Sequence, residues 1–231
     1  MSDQSSPRAI LLDIEGTVAP ISFVHEVLFP YARAQMEAYL RKHWNAPDVS
    51  AARTMLHEPS GDFSEQSLAS LKSTLFRLMD GDVKSTGLKQ LQGLIWDQGY
   101  RAGAFRSPVF SDVAPALRRW KNSGKTVAIY SSGSVAAQKV FFQHTTAGDL
   151  TPYLSAFFDT TTGPKRSSSS YIAIASALKT PPADMLFISD IVEEAEAADA
   201  AGMRGLIAVR PGNGTVRPGR FPQTESFEAL D

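Results

Sequence analysis

The sequence predicts an α/β protein, a doubly wound parallel sheet with an inserted all-helical segment. Short apolar runs, Ala9 to Ile14, Thr126 to Tyr130 and Met185 to Ser189, are too short for typical helices and end in polar residues. Strands buried on both faces read this way. From residue 106 onward such runs alternate with helical patterns, as in a parallel sheet with crossover helices. Between the first two runs lies a block of helical periodicity without a strand pattern. The expected division is residues 1–19 with 106–231 as the α/β core, and 20–105 as the helical insertion.

Met1 to Arg8 reads as a loose tail, and Ala9 to Ile14 as the first strand. Ser22 to Trp44 reads as helical. Phe23, Val27, Leu28, Tyr31, Ala34, Met36 and Leu40 recur at roughly helical spacing, and Pro30 marks a break or a start. Ala46 to Asp62 carries two prolines and reads as a loop with one turn of helix at most. Leu68, Leu71, Leu75, Phe76 and Met79 form one face of a helix over Ser64 to Met79, which Asp80-Gly81-Asp82 punctuates. Leu88, Leu91, Leu94, Ile95 and Trp96 do the same over Thr86 to Gly99. Ser111 is the expected N-cap of a helix using Val113, Leu117 and Trp120, with Gly124 as its stop. The strand Thr126 to Tyr130 runs into Ser131-Ser132-Gly133-Ser134 and a helix over Val135 to Thr145. A short strand at Ala156-Phe157-Phe158 and a helix over Ser169 to Ala177 follow. Met185 to Ser189 ends in Asp190. Ile191 to Ala201 is a helix stopped by Gly202, and Leu206 to Val209 is the last strand. Three glycines and three prolines mark 211–223 as a loop-rich tail.

Composition narrows the function. The chain has 231 residues, 43% hydrophobic and 20% charged, which is ample for a core. Its net charge of -1 gives no global field to recruit nucleic acid or an anionic membrane. With no cysteine, disulfides and zinc–thiolate sites are excluded. No apolar run approaches the roughly eighteen residues of a membrane helix, and residues 1–8 lack a signal core. A cytoplasmic protein without nucleic-acid or membrane partners is expected, so the Asn213-Gly214-Thr215 sequon carries no weight. Nucleotide-binding glycine motifs are absent. His25-Glu26 starts like a zinc helix, but Phe29 stands where the second histidine belongs.

Parallel sheets bind ligands beyond the carboxyl ends of their strands. There the first strand delivers Asp13 and Glu15, which share one side of an extended chain, followed by Gly16 and Thr17 at a turn. The second delivers Ser131 and Ser132, and a later one Asp190. Lys165 comes from the loop Gly163-Pro164-Lys165. Three acids, two hydroxyls and a lysine form an inventory for a phosphate handled with magnesium. Magnesium favours hard oxygen ligands, and a phosphoryl group favours ammonium and hydroxyl donors. Each residue also has a plainer reading. Asp13 and Glu15 fit a solvated turn, Asp190 an N-cap, the serines helix caps and Lys165 a solvated loop. Glu194, one turn after Asp190, fits a solvated helix face.

The order Asp13-Ile14-Glu15-Gly16-Thr17, strand-Ser131-Ser132-Gly133-Ser134, Lys165, then Ile188-Ser189-Asp190 with Glu194 resembles the haloacid dehalogenase superfamily. Leu88-Lys89-Gln90-Leu91-Gln92-Gly93 with Trp96, Phe110 to Trp120, and Tyr130 to Ser134 with Ala137-Gln138-Lys139 narrow it. With these stretches the chain resembles the enolase-phosphatase E1 family, also called acireductone synthases, over about residues 8 to 210. The resemblance implies a HAD-like Rossmannoid core and a helical cap that closes over the substrate. It implies a monomeric, Mg-dependent phosphoric monoester hydrolase of methionine salvage with one Mg2+ per subunit. Its partner is a small-molecule phosphate, 2,3-diketo-5-methylthiopentyl-1-phosphate, which it enolises and then dephosphorylates to acireductone.

On this resemblance Asp13 is the expected nucleophile, and Asp13, Asp190 and the backbone carbonyl of Glu15 hold the metal. Glu15 carries protons. Ser131, Ser132 and Lys165 bind the substrate, and Lys165 also stabilises the phosphoryl group. Glu194 supports Lys165 or a metal-bound water. Val18 replaces a frequent second threonine, and Pro164 a common histidine. The alternatives are a generic small-metabolite phosphatase without enolisation, a dehalogenase, and a non-catalytic phospho-ligand sensor.

Overall fold

The computed structural model describes residues 6–58, 61–83, 85–214 and 219–230. Residues 1–5 of the expected tail, and 215–218 of the loop-rich stretch with the sequon's Thr215, lie outside the described residues. The chain divides into two compact units, one running up to Val24 and from Arg106 onward, the other His25–Phe105.

The first unit holds a six-stranded sheet, parallel in every pairing. Its strands are β1 (Ala9–Leu12), β2 (Thr126–Tyr130), β3 (Ala156–Phe158), β4 (Met185–Ser189), β5 (Arg204–Ala208) and β6 (Gln223–Thr224). The spatial order is β3-β2-β1-β4-β5-β6, which puts β1 between β2 and β4. Ala9 and Leu11 of β1, with Ala128, Tyr130, Met185 and Phe187, form one buried face. Tyr171 and Ile174 of α8 (Ser168–Ala177) and Ala197 and Ala198 of α9 (Val192–Ala200) pack on it. Ile10, Leu12, Val127, Ile129 and Ile188 alternate to the opposite face and are equally buried. Burial on both faces explains the unbroken apolar runs of these strands.

Several boundaries depart from the sequence reading. The first strand stops at Leu12, and one further ladder bond runs from Asp13 N–H to the Ile188 carbonyl. The chain then folds tightly, with the Ile14 carbonyl accepting from the N–H groups of Thr17, Val18 and Ala19. The two-residue β6 lies where only a loop was expected, because so short a strand leaves no periodicity to read. Helix α6 (Val113–Asn122) begins after Asp112 rather than Ser111. Asp112 makes no cap bond and instead accepts from Arg210 Nη1 at 2.8 Å and Phe227 N at 2.6 Å.

The second unit is helical. The short α1 (Ile21–Phe23) still belongs to the first unit, and a π-helical turn over Val24–Leu28 then leads into α2 (Phe29–His43). Pro30 sits in the first turn of α2, directly after the π-helical turn, and continues the helical path without an N–H of its own. A full helix, α3 (Pro47–Met55), replaces the expected loop. Pro47 starts it, and it buries Val49, Ala52 and Arg53. α4 (Glu65–Asp80) is capped by Ser64, whose hydroxyl accepts from Ser67 N–H, and α5 (Thr86–Arg101) follows. Met36, Leu40, Leu71, Leu75, Leu91 and Ile95 form this unit's own core.

Candidate active site

Three strand ends make the site. Leu12 pairs with both Ile129 and Ile188, so β1, β2 and β4 finish side by side. The chain leaves them as Asp13, Ser131 and Asp190. Asp13 and Ser131 are buried at the ends of their strands. Lys165 reaches this group from its loop, with its ammonium 2.6 Å from Asp13 Oδ1 and 2.7 Å from Glu194 Oε2. Its side chain is only 10% exposed, so it is not a solvated lysine. Glu194 is buried as well, which removes the solvated-face reading. The Ser131 hydroxyl donates to Glu15 Oε2 at 3.2 Å. Ser134 caps α7 (Val135–Gln143), and Ile191 rather than Asp190 is the N-cap of α9. Ser132 is exposed and is not part of the buried group. His25 is exposed in the π turn with its ring edge-on to Phe29.

Gly16 explains how Asp190 joins the group. Its φ is +73°, and a Cβ there would lie 2.3 Å from Asp190 Oδ2 and 2.6 Å from its Cγ. The Asp190 carboxylate therefore sits directly over the turn that follows Glu15. Gly16→Ala would combine left-handed backbone strain with a collision. Its expected cost is about 2–3 kcal/mol, read as a lower denaturant midpoint at unchanged slope.

The cluster holds more negative than positive charge. Burial, then Asp13, pushes Asp190 up to about 7. Burial and Asp13 also raise Glu194 to about 7, although Lys165 pulls the other way. Glu15 is raised by burial first and by Asp13 second. Burial alone would lower Lys165, but Asp13 and Glu194 outweigh it and hold the ammonium above its ordinary value. One lysine thus faces Asp13, Glu15, Asp190 and Glu194. Such a pocket suits a cation beside the lysine or a ligand that brings one.

Three further side chains, of Ser189, Arg210 and Asn213, support this group. Ser189 Oγ is 3.0 Å from Glu194 Oε2 and 3.4 Å from Asp13 Oδ2, and it accepts from Ile191 N–H. With one hydrogen it donates to one carboxylate at a time. Its signal, a hydroxyl closing an apolar strand, is the one that drew attention to Ser131. Arg210 Nε donates to the Thr17 carbonyl at 2.9 Å, and Asn213 Nδ2 to that of Gly16 at 2.8 Å. They hold the turn after Glu15. The Arg210 guanidinium lies 4.8 Å from the centre of the Phe110 ring and 4.1 Å from that of Phe227. Nothing local in the sequence marks either residue for that task.

A family model described as haloacid dehalogenase-like hydrolase matches residues 7–202. A protein of Sorangium cellulosum named enolase-phosphatase E1 is 48% identical, over 96% of this chain and 97% of its own length. The chain belongs to the enolase-phosphatase E1 family. It is therefore a hydrolase of the haloacid dehalogenase-like group and a phosphatase by kinship. Another enolase-phosphatase E1, from Synechococcus elongatus, is 45% identical over 97% of this chain and 98% of its own. Among solved structures, the UTR4 protein of Saccharomyces cerevisiae superposes with a TM-score of 0.83 at 35% identity. That match covers 97% of this chain and all of the yeast chain. CbbY from Rhodobacter sphaeroides, solved with phosphate, shares the fold at a TM-score of 0.63 and 16% identity. It covers 97% of this enolase-phosphatase E1 family chain and 96% of its own.

Proposed function

We propose that this chain enolises 2,3-diketo-5-methylthiopentyl-1-phosphate and then hydrolyses its phosphate ester to the acireductone of methionine salvage. In this reading it works in the cytoplasm as a monomer, with one magnesium ion. The supporting observation is the buried contact of Lys165 with Asp13 at a strand end, beside Ser131, Glu15 and Asp190.

Among the described residues no three His, Cys, Asp or Glu side chains form a ready cation site. Magnesium needs no such set, because it takes one or two carboxylates and keeps several waters. Asp13, Asp190 and the Glu15 carbonyl would hold it. The fit rests on crowded acids, with burial and Asp13 raising Asp190 well above an ordinary aspartate. When bound, the ion supplies positive charge that neutralises the phosphate and its nucleophile.

A carboxylate oxygen of Asp13 attacks phosphorus, and the bond to the substrate oxygen breaks. Glu15 gives that oxygen a proton. Water then loses a proton to Glu15 and adds to phosphorus, which frees Asp13 and releases phosphate. Lys165 stabilises the charge on the phosphoryl group throughout, while Ser131 and Ser132 hold the substrate. Glu194 fixes the lysine. We assign the cap's part to the helical insertion, residues 20–105, with the rest of the chain as core.

The test supplies purified protein with magnesium and the diketone phosphate, and follows enol absorbance and free phosphate together. Enol absorbance should rise before phosphate appears, and a chelator should stop phosphate release. Phosphate without the enol favours a generic small-metabolite phosphatase. No phosphate release at all sinks the reading.

A further inference from the structure

Lys165 stands on a loop without a hydrogen-bonded ladder of its own, yet its ammonium is set between two carboxylates. The backbone around it explains this. Three consecutive carbonyls, of Gly163, Pro164 and Lys165, each accept a bond from a side-chain hydroxyl. Tyr130 Oη donates to Gly163 O at 2.8 Å, Ser170 Oγ to Pro164 O at 2.8 Å, and Tyr171 Oη to Lys165 O at 2.7 Å. Ser167 N–H adds a second bond to Pro164 O.

The donors are rigid. Tyr130 closes β2 and Tyr171 lies in α8, both fully buried, with their rings edge-to-face at 5.5 Å. Tyr171 also packs against Phe187 of β4 at 5.0 Å. A hydroxyl on a ring wedged into the sheet's core has almost no rotamer freedom to lose, so it makes a firm anchor. Ser170 is buried too. Gly163 has φ +146°, and a Cβ there would lie 2.3 Å from Ser170 Oγ, so only glycine lets the clamp close. Pro164 fixes one more backbone angle inside it. The Tyr130 ring centre is 5.8 Å from the Lys165 ammonium, within cation–π range.

We infer that Tyr130, Ser170 and Tyr171 are positioning residues, a three-hydroxyl clamp on the backbone of residues 163–165 that aims the Lys165 ammonium at Asp13 and the phosphoryl group. The inference rests on Lys165 serving the phosphoryl transfer proposed above. It gives a task to the departure at Pro164 and to Ser170, the last of four consecutive serines from Ser167, and it makes Tyr130 act through the loop while its neighbour Ser131 faces the phosphate.

The experiment uses the full chain with Tyr171→Phe, Tyr130→Phe and Ser170→Ala, each confirmed as folded by thermal melting. Two readouts are taken. In turnover of the diketone phosphate, Tyr171→Phe should lower kcat about tenfold while KM stays within about twofold, because a displaced catalytic group costs rate before binding. Placed in a Lys165→Met background, the same change should cost nothing further. The second readout needs no activity: acetylation of each lysine by an amine-reactive ester, followed by peptide mass spectrometry. Lys165 should label about tenfold faster in the variants, with the other lysines unchanged as internal controls. Ser170→Ala supplies the mildest variant should either tyrosine change reduce folding. Unchanged Lys165 labelling in all three variants overturns the inference, as does an equal loss of kcat with and without Lys165. A wild-type protein that releases no phosphate refutes the proposed function instead, and the labelling result still decides the clamp.

Discussion

Asp13→Asn is expected to leave a folded protein whose turnover has fallen by at least about 10⁴-fold. The substitution is nearly isosteric, but a carboxamide oxygen does not displace an alkoxide from phosphorus. Two effects on stability oppose each other. Lys165 loses the partner at 2.6 Å, while Asp190 and Glu194 lose the buried anion that presses on both. Lys165 keeps Glu194 at 2.7 Å, so the buried ammonium is not left without a counterion. The melting temperature should therefore move by only a few degrees, and the variant should still bind phosphate, read by calorimetry. Phosphate release near the wild-type rate would remove Asp13 from the mechanism and end the aspartyl-phosphate route.

Lys165→Met is expected to fail in two ways at once. It keeps the apolar stem but removes the ammonium that bridges Asp13 and Glu194. Turnover should fall about 10³-fold, the scale of losing a preorganised charge aimed at the transition state. Stability should fall by about 3 kcal/mol, because breaking one side of a buried ion pair strands the other. Denaturant unfolding at neutral pH measures the second effect independently of the first. Lys165→Arg should recover stability better than rate, since the planar guanidinium replaces the charge but not the compact donor. A stable, fully active Lys165→Met protein would show that the two short contacts carry neither role.

The strands and the polar residues at their ends could be read because buried parallel strands leave a plain mark. A run such as Ala9-Ile10-Leu11-Leu12 or Met185 to Ile188 has little freedom to be anything else once both faces are covered. A polar residue directly after such a run can point only to the carboxyl end, where Asp13, Ser131 and Asp190 stand. Helix α3 escaped because Pro-Asp-Val-Ser-Ala-Ala-Arg-Thr-Met buries only Val49, Ala52 and Arg53, and its apolar spacing is too thin to see. Ser111 reads as the cap of α6, yet the helix begins after Asp112, whose carboxylate is drawn to Arg210 and the Phe227 amide, more than a hundred positions away for the latter. The hydroxyls that grip the Lys165 loop escaped for the same reason. Tyr130 and Tyr171 are core residues by every local sign, and their polar tips matter only through a loop that the fold brings to them.

The central place of β1 has a consequence for biosynthesis. This strand leaves the ribosome well before its partners, since Thr126 lies more than a hundred residues downstream and Met185 further still. At translation speeds of about 5–20 residues per second the Ala-Ile-Leu-Leu segment waits several seconds with both edges open. The helical insertion, whose contacts are local, is able to collapse during that wait. The nascent chain therefore carries an apolar strand with unpaired edges until late, an exposure that favours aggregation before the sheet closes.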